Sequence, residues 1–278
     1  LDLLAIHNSP DLIAARRAAI RQQTLASSPT LRQANFDAIE PADLQNLFTL
    51  YDDAFFANFL ARSVLARTGS PLGFRLSTTM TRASGKTIRT TTRPRFGRRR
   101  ERFEIAVATN MLFMNFADNA RPNAAHSPDN DPLFSGQAAR PSTPSARPVT
   151  VGGLPCLSRL DALERILEHE MLHLAELLVF NRSSCSAARF KAIALRIFGH
   201  IDHRHDLITP REHAATRHDV KVGSRVHFHF AGNQFTGLVN RIHHRATVLV
   251  ESPGGQRYRN GKKYLKYYIP LHHLRAQD

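Results

Sequence analysis

Cysteine is scarce, with only Cys156 and Cys185 in 278 residues. Two thiols cannot make a disulfide framework, and the count suits a reducing compartment. Either is free to be a metal ligand or a small core residue. No apolar run approaches the roughly 20 residues needed to cross a bilayer. The opening "LDLLAIHNSPDLIAARRAAI" has neither the basic start nor the small-residue cleavage site of a secretory signal. These absences point to the cytoplasm, to the nucleoid if the source is bacterial, and away from a membrane partner. No internal repeat is evident. Acidic residues are few: 23 Asp and Glu stand against 38 Lys and Arg, a net charge of +15 with a pI near 10.9. Such an excess draws a chain towards polyanions through counterion release and steering, so nucleic acid is an expected partner. A generally Arg-rich background is the plainer alternative.

What is present reads as a globular α+β chain. "SPDLIAARRAAIRQQTLA" has a Ser-Pro start and helical spacing, and residues 1–40 read as a loosely attached helical extension. In "EPADLQNLFTLYDDAFFANFLARSVLA", Leu44, Leu47, Phe48, Tyr51, Phe55, Phe56 and Leu60 recur on one helical face. "GFRLSTTM", "GKTIRTTTR" and "RFEIAVAT" are short β-branched runs expected to form an antiparallel meander. Residues 117–148, rich in Pro, Asn, Asp and Ser, read as a mobile insertion. Ser158 is expected to cap a long helix ending near Phe180, and "SAARFKAIALRIFG" to form the next. The texture changes between residues 206 and 220. From there, residues 220–275 show short alternating strands with turns at "AGNQ", "PGGQ" and "RNGKK", the pattern of a small barrel of about five strands.

The chemistry concentrates in "LEHEMLHLAELLVF". At 3.6 residues per turn His169 and His173 stack on one helix face, where both imidazoles reach a single ion, and Glu170 adjoins them. H-E-x-x-H is the spacing of zinc peptidases: a third protein ligand and a water complete the tetrahedron, and the glutamate takes the water's proton. An amphipathic helix with incidental histidines is the bland alternative.

Four blocks, "LFTLYDDAFFANFL", "FRLSTTMTRASGKT", "FEIAVATNMLF" and "LEHEMLHLAELLVF", resemble in order those of the SprT-like (Spartan-type) zinc metalloprotease family, across about residues 44–205. The resemblance implies a zincin-like domain over residues 41–206, with a small sheet edge beside the metal helix, a Zn2+ cofactor held by His169 and His173, Glu170 as general base, and substrates that are proteins crosslinked to DNA. The family's third histidine opens the next helix, and its ungapped equivalent here is Ser186, a poor zinc ligand. Cys185, one residue earlier, offers a soft thiolate, so it is expected as the third ligand, with a small buried residue as its alternative. Glu176 is a further candidate, as ligand, as orienter of an imidazole, or as an ordinary exposed glutamate. His200, His203 and His205 in "FGHIDHRHDL" are others, each placed to swing to the metal or to meet substrate.

Two basic regions complete the set. Arg95, Arg98, Arg99 and Arg100 surround Phe96 in a loop that either grips phosphates or is a solvated turn. In the C-terminal segment, Arg241, Arg245, Arg259, Lys262, Lys263 and Lys266 are interleaved with tyrosines. That fits binding of single-stranded or structured DNA or another nucleic acid, or simple alternation of charges outside and aromatics inside. The segment looks like an SH3-type or KOW-type barrel, which implies nucleic-acid or protein binding without choosing between them.

Overall fold

The computed structural model describes residues 2–93, 100–116, 149–243 and 245–277. The expected insertion at 117–148, the loop residues Arg95, Phe96, Arg98 and Arg99, and His244 lie outside the described residues. The chain is mixed α+β and divides into two compact units, residues 2–116 with 149–207, and residues 208–277. Among the described residues no helix is long and apolar enough to cross a membrane.

The first unit begins with α1 (Pro10–Ser27), started by Ser9, whose hydroxyl accepts from the Leu12 amide, and by Pro10, whose missing N–H costs nothing at that position. The next apolar face breaks into two helices, α2 (Pro41–Phe56) and α3 (Phe59–Thr68). Ala57 and Asn58 turn left-handed, with φ of 50° and 59°. The Asp52 carboxylate accepts from the Leu60 and Ala61 amides at 3.0 and 2.8 Å. One α2 side chain therefore caps α3, and a helix expected to be continuous bends there.

Strands β1 (Gly73–Ser77), β2 (Gly85–Thr92) and β3 (Arg100–Ala108) form a sheet of order β1-β3-β2. β1 runs parallel to β3 and β2 antiparallel to it, so the expected all-antiparallel meander is replaced by a mixed sheet. Burial explains the order. Phe103, Ile105, Ala106, Val107 and Ala108 of β3 are all buried, which suits a central strand, whereas β1 and β2 are half exposed and take the edges. After α4 (Thr109–Asn115), the hairpin of β4 (Val149–Val151) and β5 (Leu154–Cys156) precedes α5 (Arg159–Phe180) and α6 (Ala188–Phe198). Ser158 caps α5 through the Asp161 amide, and Asn181, at φ 57°, ends it.

The N-terminal residues are not a loose extension. Leu3, Ile13, Ile20, Leu31 and Phe36 belong to the same buried core as α2, α5 and α6. α1 also supplies charge. The Arg17 guanidinium donates twice to the fully buried Glu168 of α5, at 2.8 and 2.7 Å, and Arg21 holds Glu164 and Asp161. Burial alone would raise the Glu168 pKa, but Arg165, Arg17 and the His200 ring hold it down at about 2.

The second unit places α7 (Pro210–His218) against a sheet of β6 (Arg225–Phe230), β7 (Asn233–Ile242), β8 (Arg245–Arg257), β9 (Lys263–Pro270) and β10 (Arg275–Ala276). The expected inter-domain boundary at 206–220 thus contains a helix, and its Ala214 joins Val226, Phe228, Val239, Val248 and Ile269 in the core. The ladder order is β10-β6-β7-β8-β9, entirely antiparallel. No pairing joins β9 to β10 among the described residues, so the expected closed barrel is an open, five-stranded sheet.

Replacing Arg17 by Ala leaves a buried carboxylate short of a partner, which costs about 3 kcal/mol when a buried pair is broken. Urea unfolding of Arg17→Ala should show that loss, whereas a loosely attached α1 would leave the midpoint unchanged.

Candidate metal centre

On α5 the two histidines face the same way, and their Nε2 atoms lie 3.2 Å apart. Nitrogens bound at about 2.0–2.1 Å to one tetrahedral zinc are about 3.3–3.4 Å apart, so the observed gap fits a shared ion. Asn181 reverses the chain and returns Cys185 to the same place. The His169, His173 and Cys185 ligand atoms all lie within 4.8 Å of one another, the one such group among the described residues. The Phe190 ring backs both imidazoles, with centroids 5.0 and 4.6 Å away. Burial lowers the His169 pKa to about 3, helped by His173, and burial lowers that of His173 against the pull of Glu176. Both rings are therefore neutral at pH 7, the form that ligates. Two imidazoles and a thiol are a donor set that could hold a transition-metal ion.

Glu170, next in the helix, lies outside this group and packs against β2, where it is 3% exposed. Thr87 of β2 donates its hydroxyl to Glu170 Oε2 at 2.8 Å and lies at the same distance from the Glu170 carbonyl. Burial pushes the Glu170 pKa up to about 7, opposed by the Thr87 hydrogen bonds. Room for this side chain comes from Gly85, where a Cβ would sit 2.7 Å from Glu170 Cγ and Oε1 and 2.8 Å from Ile166 Cγ2.

The remaining candidates separate cleanly. Glu176 is no exposed glutamate; its side chain is fully buried, with Arg189 Nε donating to Oε1 at 2.7 Å and Ser183 Oγ to Oε2 at 2.8 Å. Ser183 in turn lies 2.7 Å from His173 Nδ1. Ser186 is exposed, within 3.0 Å of Ser184 Oγ, and outside the cluster. His200 is buried, its Nε2 2.8 Å from Glu168. Gly152, at φ 64°, makes room for that ring, since a Cβ there would meet His200 Nδ1 at 2.7 Å. His203 pairs with Asp202 at 3.1 Å and lines a cavity of about 280 Å³ with Phe190, Lys191, Leu195 and Ile201. His205 forms a backbone bridge with Val151. Neither joins the three-residue cluster. Cys156 is a buried thiol whose pKa burial raises to about 12, an inert core residue. Ser183, Arg189, Thr87 and Gly85 were not singled out from the sequence, although "NRSSCSAARF" carries two of them within seven residues of each other.

No family model, curated protein or solved structure matches the chain.

Of the basic candidates in the first unit, Arg100 is described. It lines a cavity of about 330 Å³ with Arg67, Arg89, Glu101 and Asn181. Arg67 and Arg89 both reach Glu101, at 2.6 and 2.8 Å, and both donate to Asn181 Oδ1, at 2.9 and 2.6 Å. In the second unit, register sorts the rest. Arg225, Leu238, Leu249 and Lys266 are cross-strand neighbours in one row, and Arg241, Thr247 and Tyr268 in another. Both rows lie on the sheet face opposite Val239 and Val248. Arg241, Lys266 and Tyr268 are exposed there and Arg245 is half-buried. Arg259, Lys262 and Lys263 sit at the β8–β9 turn, where Lys262 pairs with Glu251 at 2.7 Å.

Gly85→Ala should force Glu170 from its slot and cost about 1–3 kcal/mol, the usual range for overpacking a filled site. Chemical denaturation measures it; a neutral Gly85→Ala would mean that Glu170 is not held against β2.

Proposed function

We propose that the chain is a zinc-dependent metallopeptidase of the SprT-like type, acting on proteins bound or crosslinked to DNA. The observation that carries this reading is the convergence of His169, His173 and Cys185 beside a buried glutamate on the same helix. These three residues would hold the ion, which when bound supplies Lewis acidity and brings the pKa of water from about 15.7 towards about 7. Glu170 does the proton work. Thr87 occupies Oε2, and Oε1 would take the proton of the attacking water and return it to the departing amine once the carboxyl turns from its slot beside Gly85 towards the ion. A pKa held near neutrality suits an acid–base group that must do both. The mixed sheet supports the zincin-like reading, because β2 is an edge strand among the described residues and lies against α5 at Thr87. An extended substrate adds to such an edge by main-chain hydrogen bonds.

The second unit acts as the recruiting module. Residues 208–277 carry twelve Lys and Arg against three Asp and Glu. The strand order, with β10 beside β6, supports an SH3-like reading of the open sheet. Its exposed Arg225, Arg241, Lys266 and Tyr268 offer cations for phosphates and a ring for a base. The three arginines around Asn181 add positive charge in the first unit.

Cys185 favours a second reading, a nucleic-acid-binding or transcription-associated module with a structural or degenerate zinc site. A thiolate adds negative charge at the ion and makes its water less acidic than a third imidazole would.

Metal analysis and casein cleavage, with and without single-stranded DNA, separate the two readings. The peptidase reading expects one zinc per chain, lost in Cys185→Ala. It also expects Glu170→Gln to keep its zinc and lose roughly 10²-fold or more in cleavage rate. Zinc without cleavage selects the binding module, and a fully active Glu170→Gln removes the mechanism.

A further inference from the structure

We infer that Ser183 is a positioning residue: it holds the proton of His173 on Nδ1 and thereby keeps Nε2 bare towards the shared site. The consequence for metal affinity rests on the proposed zinc reading, whereas the location of the proton rests on hydrogen bonds alone. The argument starts at Arg189. Its guanidinium lies 4.1 Å over the Phe180 ring and donates Nε to Glu176 Oε1 at 2.7 Å. The other oxygen, Oε2, accepts from Ser183 Oγ at 2.8 Å. A carboxylate only accepts, so the single hydroxyl proton of Ser183 is committed to Glu176. Ser183 Oγ also lies 2.7 Å from His173 Nδ1 and, its proton spent, acts there as an acceptor. The Nδ1 of His173 must then carry hydrogen. A neutral imidazole has one N–H, so Nε2 keeps its lone pair, and this is the atom that faces His169 Nε2 at 3.2 Å.

That last contact has room for one proton, and it belongs to His169. The two histidines are therefore unequal partners. His173 is set for an ion in advance, while His169 would move its proton from Nε2 to Nδ1 when one binds. The relay also explains why Glu176 is buried although it touches neither histidine: with Arg189 fixing one oxygen, the other can only orient Ser183.

The test is nitrogen-15 long-range correlation spectroscopy of the histidine rings in the full chain after chelator treatment, with zinc affinity measured separately by chelator competition. In the unaltered chain His173 should carry its proton on Nδ1. Ser183→Ala should lose that preference, and Ser183→Thr should restore it. Glu176→Gln is the sharper variant. Arg189 keeps the Gln oxygen, the amide nitrogen turns to Ser183, and the hydroxyl proton is released towards His173. The proton of His173 should then move to Nε2. Zinc affinity should fall roughly 10- to 100-fold in Ser183→Ala and Glu176→Gln, and little in Ser183→Thr. A proton on Nε2 of His173 in the unaltered chain, or a tautomer unmoved in both Ser183→Ala and Glu176→Gln, overturns the assignment. A chain that shows the tautomer pattern but binds no zinc upholds the role of Ser183 and removes the metal reading instead. Should Ser183→Ala fail to fold, the unaltered chain and Glu176→Gln decide the matter.

Discussion

Four glutamates of a single helix lie in the protein interior, and the way each is satisfied organises the first unit. Glu164, Glu168, Glu170 and Glu176 of α5 are all buried. A buried carboxylate is tolerated only when paired or when it gives up its charge. Glu164 and Glu168 meet Arg21, Arg17 and Arg165, so α1 is drawn onto α5 by charge as well as by Ile13 and Ile20. Glu176 meets Arg189. Glu170 alone among the four has no cation beside it in the described structure, only the Thr87 hydroxyl. Three of these carboxylates are paired with arginines, and burial pushes the pKa of the fourth up to about 7. This contrast within one helix separates scaffolding groups from one able to exchange a proton.

The imidazole pair depends on the same helix. His169 and His173 lie one turn apart on α5, which is capped by Ser158 and by Asn181. The proposed third ligand comes from the segment that follows Asn181, braced by Arg67 and Arg89. The candidate ligand set is therefore local in sequence, spanning His169 to Cys185. The groups that hold Glu170 are not: Gly85 and Thr87 arrive from a strand some eighty residues earlier.

This difference in range decides what could be read from the sequence. The pair of histidines, the neighbouring glutamate and the helix that carries them follow from spacing and caps. The resemblance points to Ser186 and thiol chemistry moves the expectation to Cys185, which the fold gathers with the two histidines. Glu176 was misjudged because a helix glutamate is ordinarily solvated, and its partners Ser183 and Arg189 lie beyond the turn. The attachment of α1 left a trace that was missed. Arg17 and Arg21 repeat the four-residue spacing of Glu164 and Glu168, so two helices of opposite charge fit side by side. The sheet order escaped because three β-branched runs in succession look like a meander, and only the uninterrupted burial of β3 places it in the centre. The break at Ala57 and Asn58 escaped because neither is glycine or proline.

Asn181 has one further implication. Its side-chain oxygen accepts from Arg89 of β2 and Arg67 of α3, so the edge strand and the turn leading to Cys185 are fastened at one knot. If β2 takes a peptide and Cys185 a cation as proposed, a shift of that strand would reach the turn through Asn181, and the two events would be mechanically linked.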